Sequence, residues 1–416
     1  MNKTHKSDDT FTHRLDNILT SRLWGIPIFI ALLVLMFMAT FWLGAYPQEW
    51  IENGVVALSS WVSGLMTDGP LRDLLVNGII SGMGSVIVFL PNILILFLFI
   101  SLMEDTGYMA RAAKLMDGVM HSFGLHGKSF IPMVMGFGCN TPAIMAARSI
   151  EDRKSRIITI LINPFMSCSA RLPVFVMMAG AFFPRRAGLM LALMYLIGVI
   201  VALITARLLR SAFFKGESEH YDMPLTPYQR PNWRETAKHV WEKCAEYIKK
   251  IGTVILLASI IVWFLSNYPK TDDKMVFPTE EAALSYHSEH SYLGRIGIFV
   301  EPVLKPLGMT WKEGMALVSG IPAKEIIVST LGVLYANDSS ANNNTLTDRL
   351  QASGDYTPAS AIAFMVFVLL YCPCIASLAA IGKECGGWKW VAFSVAYTTS
   401  VAWLVAWIVK IISGIL

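Results

Sequence analysis

Three cysteines stand where apolar segments are interrupted. Cys139 lies in Gly136-Phe-Gly138-Cys-Asn140-Thr-Pro142, Cys168 in Asn163-Pro164-Phe-Met166-Ser167-Cys-Ser-Ala-Arg171-Leu-Pro173, and Cys374 in Tyr371-Cys-Pro-Cys. Proline removes a backbone donor and frees a carbonyl at each of these points. Thiolate, thioether and carbonyl together suit a borderline-to-soft divalent cation better than Mg²⁺ or Ca²⁺. Any one of the cysteines alone reads as a small buried hydrophobe. Their coincidence with three breaks makes Cys139, Cys168 and Cys374 a candidate metal set, with Asn140, Met166 and Ser167 as accompanying donors. Cys244, Cys372 and Cys385 read as structural.

A second group of residues would shape the pathway: Gly136, Gly138, Pro142, Asn163, Pro164, Arg171, Pro173, Gly320, Pro322, Lys324 and Glu325. Arg171 is a charge within an apolar run, which is costly unless it meets a partner or water. Glu325 and a freed carbonyl are its two candidate partners. Lys324 and Glu325 are adjacent and cannot share one helix face, so they either close a gate by pairing or attract a cation. No HExxH or H-x-x-E-H spacing occurs, and neither GxxxxGK[ST] nor GxGxxG is present. The sequence therefore offers no hydrolytic metal site and no nucleotide site of its own.

The elements that must hold these residues are membrane helices. Of 416 residues, 54% are apolar and 15% charged, against roughly 45–50% and 25% in a soluble domain. At about 20 residues per span, strong apolar runs at 23–43, 76–103, 157–183, 187–209, 251–267, 358–382 and 389–412 predict seven full spans in an all-α polytopic protein. Residues 1–22 read as a short interfacial helix and 23–75 as the first span with an outside segment. The basic stretch 207–250, with nine Lys and Arg, and the loop 148–156 belong on the cytoplasmic side. The N-terminus then falls inside, and 210–250 forms a cytoplasmic arm.

Residues 129–147 and 314–336 are apolar yet broken, and each returns to its own side, as a re-entrant hairpin does. Unpaired backbone at membrane depth is tolerated only where protein or a water-filled cavity receives it. The two regions are copies. A shift of 184 residues pairs Tyr108 with Tyr292, Arg111 with Arg295, Asp117 with Glu301, Gly124 with Gly308, Lys128 with Lys312, Val134 with Val318 and Gly136 with Gly320. Further on, Cys168-Ser-Ala-Arg-Leu172 pairs with Cys374-Ile-Ala-Ser-Leu378 at an offset of 206, the difference lying in an outside loop near 337–357. With the predicted orientation, the halves 76–209 and 251–412 run in opposite senses. Inverted repeats with broken helices at matching positions are a transporter architecture, with the site at the repeat interface.

The motifs GFGCNTPAIMAARSIED, ILINPFMSCSARLPVFVMMAGAFFP, SGIPAKEIIVSTLGVLY and YCPCIASLAAI, with the FKGE…MPLTPYQRPNW arm, resemble the membrane domain of the bacterial ferrous iron transporter B family. The likeness extends from LTSRLWGIPIF at 19–29 to the last span. It implies two inverted gate modules and Fe²⁺ import across the bacterial cytoplasmic (inner) membrane, with Fe²⁺ as substrate and Cys139, Cys168 and Cys374 on the metal path. Family members begin with a cytoplasmic GTP-binding domain, whereas 22 residues precede Leu23 here. This leaves open a separately encoded or truncated membrane half, or a paralogue working without nucleotide. The lipid bilayer is the expected partner. A cytoplasmic GTP-binding protein or domain and a second copy of the chain stay open, and no nucleic acid is expected. Two rival functions remain: an organic-solute, nucleoside-like carrier, and a non-transporting membrane partner of a GTPase.

Overall fold

The computed structural model describes residues 16–17, 19–21, 23–67, 69–213, 228, 232–269, 286–335 and 346–415. Most of the predicted interfacial segment 1–22, and of the arm between 214 and 231, lies outside the described residues. Among the described residues the fold is helical with no strand. In chain order the principal helices are α1 (Gly25–Leu65), α2 (Ser81–Val88), α3 (Leu90–Asp105), α4 (Tyr108–Ser122), α5 (Phe130–Gly136), α6 (Asn140–Ala146), α7 (Arg153–Ile162), α8 (Leu172–Phe182) and α9 (Ala187–Phe213). They continue with α10 (Trp233–Asn267), α11 (Tyr292–Leu304), α12 (Trp311–Ser319), α13 (Ile326–Leu334), α14 (Leu346–Ala352), α15 (Pro358–Leu370), α16 (Ile375–Cys385) and α17 (Trp388–Ile415).

Among the described residues, five stretches are long and apolar enough to cross a membrane: Gly25–Leu65, Arg153–Phe182, Pro184–Ala212, Pro358–Cys385 and Trp388–Gly414. A sixth is reached if α3 and α4, bent by 83° at their junction, count as one span. The sequence predicted seven, and two runs account for the difference. The run 76–103 is divided: a π-helical stretch Leu74–Ile80 leads into α2, and α3 starts afresh with Pro91 in its first turn. The run 251–267 is the apolar end of α10, a helix that begins at Trp233. The arm residues 233–250 belong to that same helix rather than to a separate element. The run 23–43 is the first half of α1, which carries Pro47 inside it and continues to Leu65.

The repeat read from the sequence recurs element by element. Helices α4, α5, α6, α7, α8 and α9 correspond to α11, α12, α13, α15, α16 and α17. The turn between α4 and α5 hinges on Gly124 at φ 76°, and its counterpart on Gly308 at φ 77°. Both are left-handed conformations that a side chain resists. Lys128 and Lys312, the matched lysines, each pair with an acid just ahead of the next repeat helix, Glu151 at 2.9 Å and Asp355 at 3.3 Å. The second repeat adds α14, within the loop that lengthens it.

Two compact units divide the chain, and they do not coincide with the repeats: one holds residues 1–54, 87–163 and 202–251, the other 55–86, 164–201 and 252–416. In the first unit Phe29, Tyr108, Ala112 and Val134 form a core, with Leu19, Leu32, Leu33, Met103 and Phe130 packed on it. Buried Arg111 donates to Asp16 Oδ1 (2.6 Å) and the Gly107 carbonyl (2.8 Å), while Tyr228 stacks 3.7 Å from its guanidinium and also donates to Asp16. Asp152 caps α7, accepting from the N–H groups of Lys154 and Ser155. Burial pushes its carboxyl up, but these bonds, the Ser155 hydroxyl and nearby Arg210 together bring it below the usual carboxylate value. In the second unit α8 packs against α13, α14 and α15, and α15 against α17. Helix α12 starts in a capping box, where buried Glu313 accepts from Thr310 and also from the hydroxyls of Tyr335 and Tyr356.

Candidate functional site at the helix breaks

Each of the three candidate cysteines occupies the same kind of position: the residue immediately before a new helix begins. Cys139 precedes α6 with φ −151° and ψ 126°, Cys168 precedes the short 3₁₀ turn Ser169–Arg171 with φ −76° and ψ 161°, and Cys374 precedes α16 with φ −63° and ψ 155°. All three are extended, and none donates a side-chain cap to its helix. The backbone passes from one helical ladder to the next at these points, so each sulfur stands at an interruption. All six cysteines are free thiols, and these three are partly accessible, whereas Cys244, Cys372 and Cys385 are buried.

The break between α7 and α8 runs from Asn163 to Arg171, and Pro173 lies in the first turn of α8. Arg171, 1% exposed, folds back on this break: its guanidinium donates to the Pro164 carbonyl and the Met166 carbonyl, each at 3.0 Å. Of the two partners considered from the sequence, freed carbonyls are the ones it holds. Met166 and Ser167 are buried beside it. The matching break between α15 and α16 is Tyr371-Cys372-Pro373-Cys374. Here Lys324, 2% exposed, donates to the Cys372 carbonyl at 2.7 Å and sits 3.3 Å from the centre of the Tyr371 ring. Tyr371 in turn donates to the Leu317 carbonyl (3.2 Å), and the Ile375 N–H to the Ile321 carbonyl (3.1 Å). The Cys374 sulfur is 3.2 Å from the Ser377 hydroxyl.

The second unit therefore gathers Cys168, Arg171, Lys324, Glu325 and Cys374, with Cys168 within electrostatic reach of the other four. Gly320 ends α12, and Pro322, Lys324 and Glu325 lie in the turn that joins it to α13. The first unit holds Gly136, Gly138, Cys139, Asn140, Pro142 and Asn163. There the Asn140 amide nitrogen, correctly oriented, donates to the carbonyls of Gly136 (3.0 Å) and Asn163 (3.2 Å). The Asn163 side chain is fully buried, and both its amide oxygen and nitrogen lack a protein partner. Among the described residues no three His, Cys, Asp or Glu side chains form a metal cluster. What the breaks offer instead is sulfur with carbonyl and amide oxygen, a softer and more open donor set. Tyr371 is a member of this cluster that sequence reasoning passed over. Its place at the head of the Tyr-Cys-Pro-Cys break was the signal for it.

The Gate family model, described as "Nucleoside recognition", matches residues 86–182 and 248–388, two stretches that fall on the two repeats. A second model, "Ferrous iron transport protein B C terminus", matches 191–243. The chain belongs to the gate family, in its ferrous iron transport protein B group. It is 48% identical to a Porphyromonas gingivalis Fe(2+) transport protein A/Fe(2+) transporter FeoB fusion protein, over 98% of this chain and 52% of the relative. It is 43% identical to Fe(2+) transporter FeoB of Campylobacter jejuni, covering 97% of the chain and 66% of the relative. For Fe(2+) transporter FeoB of Staphylococcus aureus the figures are 41%, 96% and 58%. The chain thus spans about half to two thirds of the length of these curated relatives. No solved structure matches it.

Proposed function

We propose that this chain conducts Fe²⁺, or a similar divalent transition metal, through the bacterial cytoplasmic membrane into the cell, by a path between two inverted gate repeats. The observation that carries the reading is the placement of Cys168 and Cys374 at matching helix breaks within one compact unit. The names of the relatives supply the metal. A thiol at an interrupted helix gives a borderline metal a ligand that Mg²⁺ and Ca²⁺ do not favour. Carbonyls at the same break replace part of the ion's hydration shell, as conduction requires. Cys139, Asn140 and Asn163 are a separate candidate set within the first unit, and Met166 and Ser167 accompany Cys168 in the second. Gly136, Gly138, Pro142, Pro164, Pro173, Gly320 and Pro322 give the gates their bends. The N-terminus lies in the cytoplasm, and a GTP-binding protein or domain regulates passage from that side. A transport protein A-like partner fits as well, since one relative's name joins the two in a single chain.

Replacing Cys168 and Cys374 together by serine is expected to reduce radiolabelled Fe²⁺ uptake into anaerobic proteoliposomes to the protein-free level. Unchanged uptake by the double variant would remove the thiols from the path. A nucleoside-like solute is the second reading, favoured by the description of the matching gate family. Native mass spectrometry of the purified chain separates the two: a retained nucleoside supports the second reading, whereas stabilisation by Mn²⁺ supports the first.

A further inference from the structure

Both helix breaks in the second unit already hold a cation, and in each case it belongs to the protein. Arg171 answers two carbonyls of its own break, five and seven residues upstream, with a single guanidinium nitrogen, Nη1. Held by two carbonyls of its own short segment, the group is fixed in place and acts as part of the framework. Lys324 differs in every respect. Its ammonium reaches a carbonyl 48 residues away, on another element, from the turn between α12 and α13. Its seat is a freed carbonyl at 2.7 Å and an aromatic face at 3.3 Å, donors that also receive a partly dehydrated metal ion. Lysine carries a compact charge on a flexible stem, so the seat can be vacated without unfolding the break. Arg171 lies within electrostatic reach of Lys324, and that like charge favours its departure.

We infer that Lys324 is a tethered placeholder: its ammonium fills the Cys372–Tyr371 seat at rest, and the transported cation takes that seat by displacing it. This rests on the transport reading and names the residue that sets its selectivity. An ammonium and a divalent ion cannot share one carbonyl, so an entering ion must bind this seat well enough to expel the lysine. Monovalent cations, which gain less at the carbonyl and at the nearby sulfur, fail that test. The placeholder thereby excludes the abundant ions while admitting a metal with affinity for sulfur.

Two measurements on the full chain test this. In the wild-type protein in detergent, Lys324 is expected to resist an amine-acylating reagent and to become about fivefold more reactive, by peptide mass spectrometry, when Mn²⁺ but not Mg²⁺ is added. Unchanged labelling overturns the inference. In proteoliposomes, Lys324→Met is expected to raise K⁺ leak by about tenfold, while Lys324→Arg, which keeps a charge in the seat, stays near wild type. Equal leak in wild type and Lys324→Met, or equal leak in the two variants, also overturns it. The acylation experiment needs no variant, so a Lys324→Met protein that fails to fold leaves it decisive. Absence of Fe²⁺ uptake by the wild-type chain would sink the transport reading, while the K⁺ comparison would still read the placeholder itself.

Discussion

At Gly320 an added methyl group would run into Ile327 Cγ1 and lie 3.0 Å from the Tyr371 hydroxyl. The glycine is there because α12 ends against the start of α13 and against the aromatic ring that seats Lys324. Gly320→Ala is expected to lower stability by about 1–3 kcal/mol, measured as thermal unfolding in detergent. Gly180→Ala is the matched control: it faces open space inside α8, and loss of glycine there should be neutral or stabilise by about 0.5–1 kcal/mol. Comparable losses at both positions would deny the Gly320 contact its role. At this scale the sequence was informative where chemistry is local. Glycine and proline marked the breaks, and the cysteines stood out within them. The destination of Lys324 was not legible, because its partner carbonyl is 48 residues away and no periodicity links the two. Nor does cysteine signal the start of a helix, since Ser, Thr, Asp and Asn are the usual residues there.

Among the elements, the two left-handed glycine turns carry the clearest equivalence. A Cβ at Gly124 would lie 2.8 Å from Arg210 Cγ, and one at Gly308 would lie 2.9 Å from Ser360 Cβ. Strain from the left-handed backbone alone is about 1–2 kcal/mol. Gly124→Ala and Gly308→Ala are therefore both expected to destabilise by at least that amount, read as a fall in the unfolding midpoint. Tolerance of one and not the other would show that the repeats use their turns differently. The repeat was legible because Tyr, Arg, Gly and Lys recur at one offset, and such residues seldom align by chance within apolar sequence. Helix ends were less so. The first apolar run ends at 43, yet α1, with Pro47 inside it, continues to Leu65. Proline's missing donor is tolerated in membrane helices, where neighbouring groups satisfy the freed carbonyl. The run 251–267 is the apolar end of a helix that starts among the charged residues before it, a start that the apolar pattern alone does not mark.

For the molecule as a whole, the proposed opposite orientation of the repeats makes a prediction that needs no metal. Exposed Ser122 ends α4, and exposed Lys305 follows α11 at nearly the equivalent place. With both changed singly to cysteine, a membrane-impermeant maleimide applied to intact cells is expected to label Lys305→Cys and spare Ser122→Cys until the cells are permeabilised. Labelling of both from one side would make the repeats parallel. The interleaving of the two compact units has a further consequence, for biosynthesis. The second unit draws on residues 55–86, 164–201 and 252–416, so helix α8, made early, finds its partners α13, α14 and α15 only once residues 326–370 have been made. Such long-range closure is slow and leaves packing surface waiting. Dividing the chain between the repeats would strand α8 on the wrong fragment. Though the repeats look like two modules in sequence, the chain has to mature as a single piece.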